Sequence, residues 1–224
     1  MLSPLQVQVA GIIGGLKEAE DFALAGGAAL IVRGVIDRRT RDLDFFGLSA
    51  TAVDRLIPVA EHALRDAGLE VERVLSGTGF ARLIVEGDGD RTEVDLASDA
   101  RLFPAEQGHS FLLLSSEELA VDKVLAVFGR AEARDFVDLM AIEGRFGLDR
   151  LFELAVEKDR GFTPRLFADM TGRFPRLRRE EFPIDDARYE QLERAVRTWR
   201  ERALEVERDV ELGHDRGSNM GLDI

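Results

Sequence analysis

The amino-acid sequence predicts an α+β protein, with strands and helices mixed in the first half of the chain and helices alone in the second. Two observations carry this prediction. Short apolar runs separated by glycine turns at 77–79 and 87–89 are typical of strands joined by tight turns. From Ser116 onward, apolar residues recur instead at the spacing of amphipathic helices. The first half should therefore contain the sheet, and the second half should be a helical region.

Local signals place the elements of the first half. Ser3 before Pro4 is typical of an N-cap followed by the first helical position, and Thr51 and Gly68 are typical of the beginning and end of another helix. Helices are expected over 4–21, 28–36 and 51–67, and strands over 22–27, 42–47, 70–75, 80–87, 91–97 and 110–114.

The helical signal of the second half divides into segments at 116–129, 133–146, 149–158, 164–172 and 186–210. The change in pattern near residue 115 predicts a boundary between a first domain, 1–115, and a helical domain, 116–212. The polar, glycine-containing end of the chain, 213–224, is expected to fray.

The composition excludes some classes of function. The net charge of −13 argues against a protein that coats nucleic acid non-specifically, because phosphates would be repelled over most of the surface. The absence of cysteine excludes disulfides and thiolate metal sites and fits a reducing compartment. The N-terminal segment lacks a basic leader, and its apolar run is too short to span a bilayer. We therefore expect a cytoplasmic protein with no membrane partner.

Two carboxylates are expected on one face of the strand at 42–47. Side chains alternate across a strand, so Asp42 and Asp44 share a face while Leu43 and Phe45 point into the packing. Neighbouring carboxylates repel unless a cation lies between them, and such oxygen ligands suit Mg²⁺ together with substrate phosphates. The alternative is a pair of aspartates at a solvated strand end.

Two further features of the first half fit a nucleotide site. Gly26 and Gly27 lie between a strand and a helix, where the backbone could approach a phosphate closely; the alternative is a simple tight turn. Asp95, with Glu93 on the same face of a later strand, could supply the third carboxylate of a two-metal site. The alternative for this pair is a surface strand of alternating charge.

The segment 122–139 is read as one helix in which four charged residues share an arc, namely Lys123, Arg130, Arg134 and Asp138. The functional interpretation is a cationic face for a triphosphate, with Asp138 holding Arg134 or Lys123 in place. The alternative is an ordinary ion pair between Arg134 and Asp138 on a solvated face. If the helix were broken at Gly129, these four residues would no longer share one helix face.

Four motifs carry a family resemblance, and they occur in the order "GGAAL", "RRTRDLDFF", "EVDL" and "DKVLAVFGRAEARDFVDL". This order resembles nucleotidyltransferase toxins of the AbiEii and MenT type, a branch of the DNA polymerase β-like nucleotidyltransferase superfamily. The resemblance spans roughly residues 20–140. It implies a mixed sheet flanked by helices, Mg²⁺ bound by aspartates, and transfer of NMP from an NTP. The implied acceptor is the 3′ end of tRNA, and a cognate antitoxin is an implied partner.

The resemblance also assigns roles to residues. Lys123 would meet the triphosphate, and Asp138 would complete the pocket from the helical side. One position departs from the family pattern, because the usual hydroxyl residue after the glycine is Ala28. The implied metal ligands are Asp42, Asp44 and Asp95, and the implied nucleotide-binding residues are Gly26, Gly27, Ala28, Arg39, Thr40 and Arg134.

The segment 160–179 is a candidate RNA-binding surface, since it has six arginines and one aspartate. Its phenylalanines, Phe162, Phe167 and Phe174, could stack on bases if they were exposed. The alternative is that they belong to the core and that the arginines form a solvated face. The arginines expected to contact RNA are Arg173, Arg176, Arg178 and Arg179.

Three hypotheses follow. The first is a nucleotidyltransferase toxin that acts on tRNA. The second keeps the chemistry but transfers the nucleotide to a small hydroxyl compound, as a drug-modifying enzyme does. The third is a catalytically silent domain that binds a nucleotide or a protein, and its main support is Ala28.

Overall fold

In the computed structural model of the protein, the backbone is described for residues 1–218 and the side chains for residues 1–209. The described chain forms two compact units, the first spanning Met1–Leu119 and the second beginning at Ala120. The predicted fold class, α+β with a helical C-terminal region, is confirmed.

The first unit is built on a mixed seven-stranded sheet with the strand order β3-β4-β5-β2-β1-β7-β6. Strands β2 and β5 pair in parallel, as do β1 and β7, and the other neighbours pair antiparallel. This order places β2 in the middle of the sheet, where both of its edges are hydrogen-bonded. The strands are β1 (Ala23–Ala25), β2 (Asp42–Gly47), β3 (Glu70–Gly77), β4 (Phe80–Gly87), β5 (Asp90–Ser98), β6 (Glu106–Gln107) and β7 (Leu112–Leu113).

The helices of the first unit are α1 (Pro4–Gly14), α2 (Gly26–Val32) and α3 (Ala50–Asp66). Helix α1 is capped by Ser3 as predicted, but it ends well before the expected Asp21. The helix ends where the chain packs closely, since an added Cβ at Gly14 would lie 2.5 Å from the Phe111 Cβ. A short 3₁₀ helix, Lys17–Ala19, follows.

Several other boundaries also differ from the prediction. The N-cap of α3 is Ser49, whose hydroxyl accepts a hydrogen bond from the Ala52 N–H, and not Thr51. Helix α2 begins at the glycines and ends at Val32, before Gly34 with a φ of +66°. The strand expected over 110–114 is reduced to β7, which pairs with the unpredicted β6.

The second half of the chain contains α4 (Ser116–Gly129), α5 (Ala133–Ile142), α6 (Leu148–Lys158), α7 (Pro164–Thr171) and α8 (Asp186–Ser218). Phe152, Phe162 and Phe167 are all in ring contact with one another in the core of the second unit. Of the expected frayed end at 213–224, residues 213–218 continue α8, and 219–224 lie outside the described residues. No helix in the described part of the chain is long and apolar enough to cross a membrane.

Candidate active site

Strand β2 carries the two aspartates on one face, as predicted. Leu43 and Phe45 have no exposed surface, whereas Asp42 and Asp44 are half-buried. Successive side chains of β2 therefore point alternately into the core and toward the face that carries the candidate site. Because β2 is held on both edges and packed through its apolar face, the two carboxylates are fixed by a rigid element.

The sheet register brings further acidic residues to the same face. In the parallel pair of β2 and β5, Asp44 lies opposite Asp95 and Asp42 lies opposite Glu93. On the other edge of β2, Ala25 of β1 lies opposite Asp44, so the chain enters the Gly26–Gly27 turn directly beside that carboxylate. The register therefore places Asp42, Glu93 and Asp95 around Asp44.

Arg82 of β4 was not predicted as a site residue, yet it engages Asp95 through both oxygens. Its Nε donates to Asp95 Oδ1 and its Nη2 donates to Asp95 Oδ2, each at 2.7 Å. Its Nη1 lies 3.4 Å from Glu93 Oε2. The hydrogen bond to Asp95 raises the pKa of Arg82, and the charges of Asp95, Glu93 and Asp42 add to this effect. Asp95 is thus neutralised by a protein cation.

Gly26 is required for its conformation and for its contact with Asp44. Its φ is +57°, in the left-handed region, and an added Cβ would lie 1.9 Å from Asp44 Oδ2. At Gly27, an added Cβ would lie 2.8 Å from Arg38 Nη2 and 3.4 Å from Thr40 Oγ1. The glycine turn therefore lies directly against Asp44, Arg38 and Thr40.

Three nucleotide-binding predictions concern this turn and the segment before β2. The guanidinium group beside Gly27 belongs to Arg38, and not to the predicted Arg39, which is more exposed. Arg38 Nη1 donates a hydrogen bond to the Arg39 carbonyl at 3.0 Å. Thr40 Oγ1 donates to Asp42 Oδ1 at 2.5 Å, which orients that carboxylate. Ala28 is fully buried, so the turn can offer a ligand backbone groups but not this side chain.

Gly26→Ala is expected to displace the Asp44 carboxylate and to abolish any activity that depends on it. The matched control is Gly34→Ala, because Gly34 has a φ of +66° and no atom within 4 Å of its added Cβ. Both variants should lose roughly 1–2 kcal/mol of folding free energy from left-handed strain. Urea unfolding measures that shared loss, and a transfer assay should show loss only in Gly26→Ala. Equal activity of the two variants would contradict the assigned contact.

The donor set fits a hard divalent cation. Asp42 and Asp44 offer carboxylate oxygens on one face of one strand, which Mg²⁺ accepts with water and phosphate oxygens completing its shell. Within the described residues, no group of three or more acidic, histidine or cysteine side chains is arranged to hold a metal by itself. Asp42 and Asp44 are thus the residues that would hold such an ion.

A second cluster lies within the helical unit and contains two of the predicted residues. Lys123 is 5% exposed, and its Nζ lies 2.9 Å from Oδ2 of the fully buried Asp138. The same Nζ lies 3.7 Å from Oδ1 of Asp135, which is also fully buried. Arg130 donates to both Asp135 oxygens at 2.8 Å, so the two buried carboxylates share two cations.

The interpretation of 122–139 as one helix was wrong, whereas the predicted division between residues 129 and 133 is confirmed. Helix α4 ends at Gly129, Ala131 adopts a φ of +52°, and α5 begins at Ala133. Lys123 and Asp138 meet because α4 and α5 pack together, and not because they share a helix face. Arg134 pairs with Glu132 at 3.0 Å.

Burial and ion pairing act in opposite directions on Asp135. Burial alone would raise the pKa of its carboxyl group, but the hydrogen bond from Arg130 and the charges of Lys123 and Arg130 outweigh burial. The pKa of Asp135 is therefore lowered from its ordinary value. The Asp135 carboxyl group is therefore charged at neutral pH.

The basic segment 160–179 has a buried apolar side. Phe162, Phe167 and Phe174 are at most 5% exposed, so the interpretation of these rings as base-stacking groups was wrong. Arg178 pairs with Glu181 at 3.1 Å. Arg179 donates to the Ile184 carbonyl at 2.7 Å and to Asp186 at 2.8 Å.

The family model that matches this chain is the nucleotidyl transferase AbiEii toxin of type IV toxin–antitoxin systems, and it matches residues 15–216. This match covers most of the chain. The chain belongs to the AbiEii family. Membership implies a nucleotidyltransferase that uses an NTP and has a partner antitoxin, as the sequence motifs predicted.

Two solved structures from Helicobacter pylori are similar to this AbiEii-family chain. The protein JHP933 matches with a TM-score of 0.52 and 18% identity, over 98% of this chain and 99% of its own. A candidate nucleotidyltransferase matches with a TM-score of 0.54 and 18% identity, over 93% of this chain and 97% of its own. At this identity the likeness shows the shared fold alone. A search of curated proteins found no match.

Proposed function

We propose that this AbiEii-family protein is a Mg²⁺-dependent nucleotidyltransferase that transfers NMP from an NTP to an RNA acceptor, specifically the 3′ end of tRNA. The observation that carries the proposal is the pair Asp42 and Asp44 on one face of the central strand β2. The close approach of the Gly26 backbone to Asp44 supports it, since a phosphate bound at this turn would lie beside the carboxylates.

In this reaction the acceptor hydroxyl loses its proton to solvent, its oxygen forms a bond to the α-phosphorus of the NTP, and the bond from that phosphorus to the bridging oxygen of the β-phosphate breaks, so that pyrophosphate leaves. Asp42 and Asp44 would hold Mg²⁺, which supplies positive charge to the phosphates and favours ionisation of the attacking hydroxyl. Thr40 keeps Asp42 oriented through its hydrogen bond. Arg38, over Gly27, contributes a guanidinium that can meet phosphate oxygens.

The predicted catalytic residues of the second unit enter the proposal through the family resemblance. Lys123 would neutralise charge on the triphosphate, and Asp138 would fix the position of its ammonium group. Arg134, which is paired with Glu132 on the surface, is the weaker candidate for a phosphate ligand.

The departure at Ala28 does not favour a silent domain. Because the Ala28 side chain is fully buried, the surface of the turn consists of backbone atoms of the glycines whichever small residue stands there. The half-buried aspartates Asp42 and Asp44 also argue against a silent domain, because a purely structural role would not require two neighbouring like charges on one face of a central strand.

The acceptor is tested with total tRNA, Mg²⁺ and each of the four NTPs labelled at the α-phosphate. We expect label on intact tRNA with at least one NTP. We expect none on tRNA whose terminal ribose has been oxidised with periodate, because the 3′ hydroxyl is then absent. Equal labelling of intact and oxidised tRNA would overturn the assignment of the 3′ end. Labelling of small hydroxyl compounds but not of tRNA would favour the drug-modifying alternative.

A further inference from the structure

The helical unit contains a surface groove beside α8 whose volume is about 270 Å³. Its apolar base is formed by Phe174, Pro175 and Val196, and its rim carries Glu193, Arg197 and Arg200. Arg197 and Arg200 are both exposed and, at about 100° per residue, lie within one arc of α8 with Glu193. The groove thus has a cationic side supplied by two arginines one turn apart.

Two further arginines adjoin the groove in sequence, although they are not among the residues that line it. The 3₁₀ helix Phe174–Arg176 supplies its other wall, and Arg173 and Arg176 bracket the lining residues Phe174 and Pro175. Both arginines are exposed. Together with Arg197 and Arg200 they form what we call the groove arginines.

Among the described residues, the guanidinium groups of the groove arginines have no ion-pair or hydrogen-bond partner. Arg165 pairs with Asp169 at 3.5 Å, and Arg178 pairs with Glu181 at 3.1 Å. Acidic side chains outnumber basic ones 43 to 30 in the chain, so carboxylate partners are abundant. The guanidinium groups of Arg197 and Arg200, which line the groove, and of Arg173 and Arg176, which adjoin it in sequence, are therefore available for an external anion.

The charge pattern suits a polyanion better than a single anion. Glu193 on the rim, with Glu190 and Glu201 nearby on α8, would repel an isolated acidic group that lay between them. A nucleic-acid backbone presents phosphates at intervals, so it can contact the arginines while leaving the acidic positions unmatched. Arginine is also the side chain whose planar fork fits a phosphate.

We propose that the groove arginines, Arg173, Arg176, Arg197 and Arg200, bind backbone phosphates of the RNA acceptor. This inference rests on the proposed function, and it revises the RNA-binding set of the sequence analysis. Arg173 and Arg176 are retained, Arg197 and Arg200 are added, and Arg178 and Arg179 are removed because their guanidinium groups are occupied within the protein.

The test measures tRNA binding to the full chain by filter binding, without NTP, over a series of salt concentrations. Arg197→Ala combined with Arg200→Ala should raise the Kd for tRNA by about tenfold or more at low salt. It should also reduce the slope of log K against log salt by about 2. The control is Arg150→Ala combined with Arg165→Ala, which removes the same charge from arginines paired with Glu153 and Asp169 and should change neither quantity appreciably.

Equal loss of affinity in both double variants would overturn the proposal, because the effect would then follow net charge and not the groove. An unchanged Kd in the groove variant would overturn it as well. Because binding is measured without NTP, these outcomes are separate from failure of the proposed function, which would appear as absence of nucleotide transfer by the unmodified protein.

Discussion

Asp44→Asn is expected to lower nucleotidyl transfer by about 10³-fold or more, which corresponds to roughly 4 kcal/mol of lost transition-state stabilisation. Asparagine preserves the volume and the half-buried position of the side chain but removes the charge that would hold Mg²⁺. Because Leu43 and Phe45 supply the core packing of β2, the free energy of unfolding should change little. Steady-state transfer from a labelled NTP and urea unfolding measure the two effects.

A second pair of aspartates with the same sequence spacing provides a control for this variant. Asp88 and Asp90 are also two residues apart, but Asp88 lies in the turn between β4 and β5, at a φ of +51°. Asparagine tolerates this conformation, so Asp88→Asn should fold normally and retain full transfer. If Asp44→Asn were as active as Asp88→Asn, the metal assignment of β2 would be incorrect.

Lys123→Met is expected to reduce the free energy of unfolding by about 3 kcal/mol or more, because it leaves buried Asp138 without its cation. Methionine keeps most of the side-chain volume, so the loss reports the charge and not a cavity. Urea denaturation of the full chain gives the value. Lys17→Met is the control, because Lys17 is an exposed lysine of the first unit and its removal should cost little.

A double-mutant cycle separates the ion pair from other effects of the substitution. Lys123→Met combined with Asp138→Asn should be less destabilised than the sum of the single variants, because the second change removes the uncompensated charge. Strict additivity would show that the 2.9 Å contact contributes no coupling energy. Loss of transfer in a folded Lys123→Met protein would support its catalytic role, and full transfer would remove Lys123 from the proposed mechanism.

Local patterns were sufficient to predict the strand that carries the site. Asp42–Gly47 agrees with its predicted bounds because alternation of polar and apolar residues is a property of the strand itself. The register that sets Asp44 opposite Asp95 was not predictable, since it depends on which distant strands pair. Arg82 was missed for the same reason: a basic residue in an apolar strand becomes informative only when its partner strand is known.

In the helical half, Lys123 and Asp138 lie close together as predicted, but the reason for their contact differs from the predicted one. Lys123 and Asp138 were grouped by helical spacing, but the break between α4 and α5 made their contact a tertiary one. The division after Gly129 was among the predictions, whereas the positive φ of Ala131 had no local signal, because non-glycine residues rarely adopt it. Burial of the phenylalanines in 160–179 was likewise undecided by sequence, because an amphipathic segment looks the same whether its apolar side faces core or ligand.

The most direct test of the central claim compares two forms of the same NTP, one labelled at the α-phosphate and one at the γ-phosphate, with the unmodified protein, Mg²⁺ and tRNA. The account predicts that only the α-label becomes attached to tRNA, that the γ-label is recovered in pyrophosphate, and that Asp44→Asn shows neither product. Transfer of the γ-label would contradict nucleotidyl transfer, as would equal release of pyrophosphate by the Asp44→Asn variant.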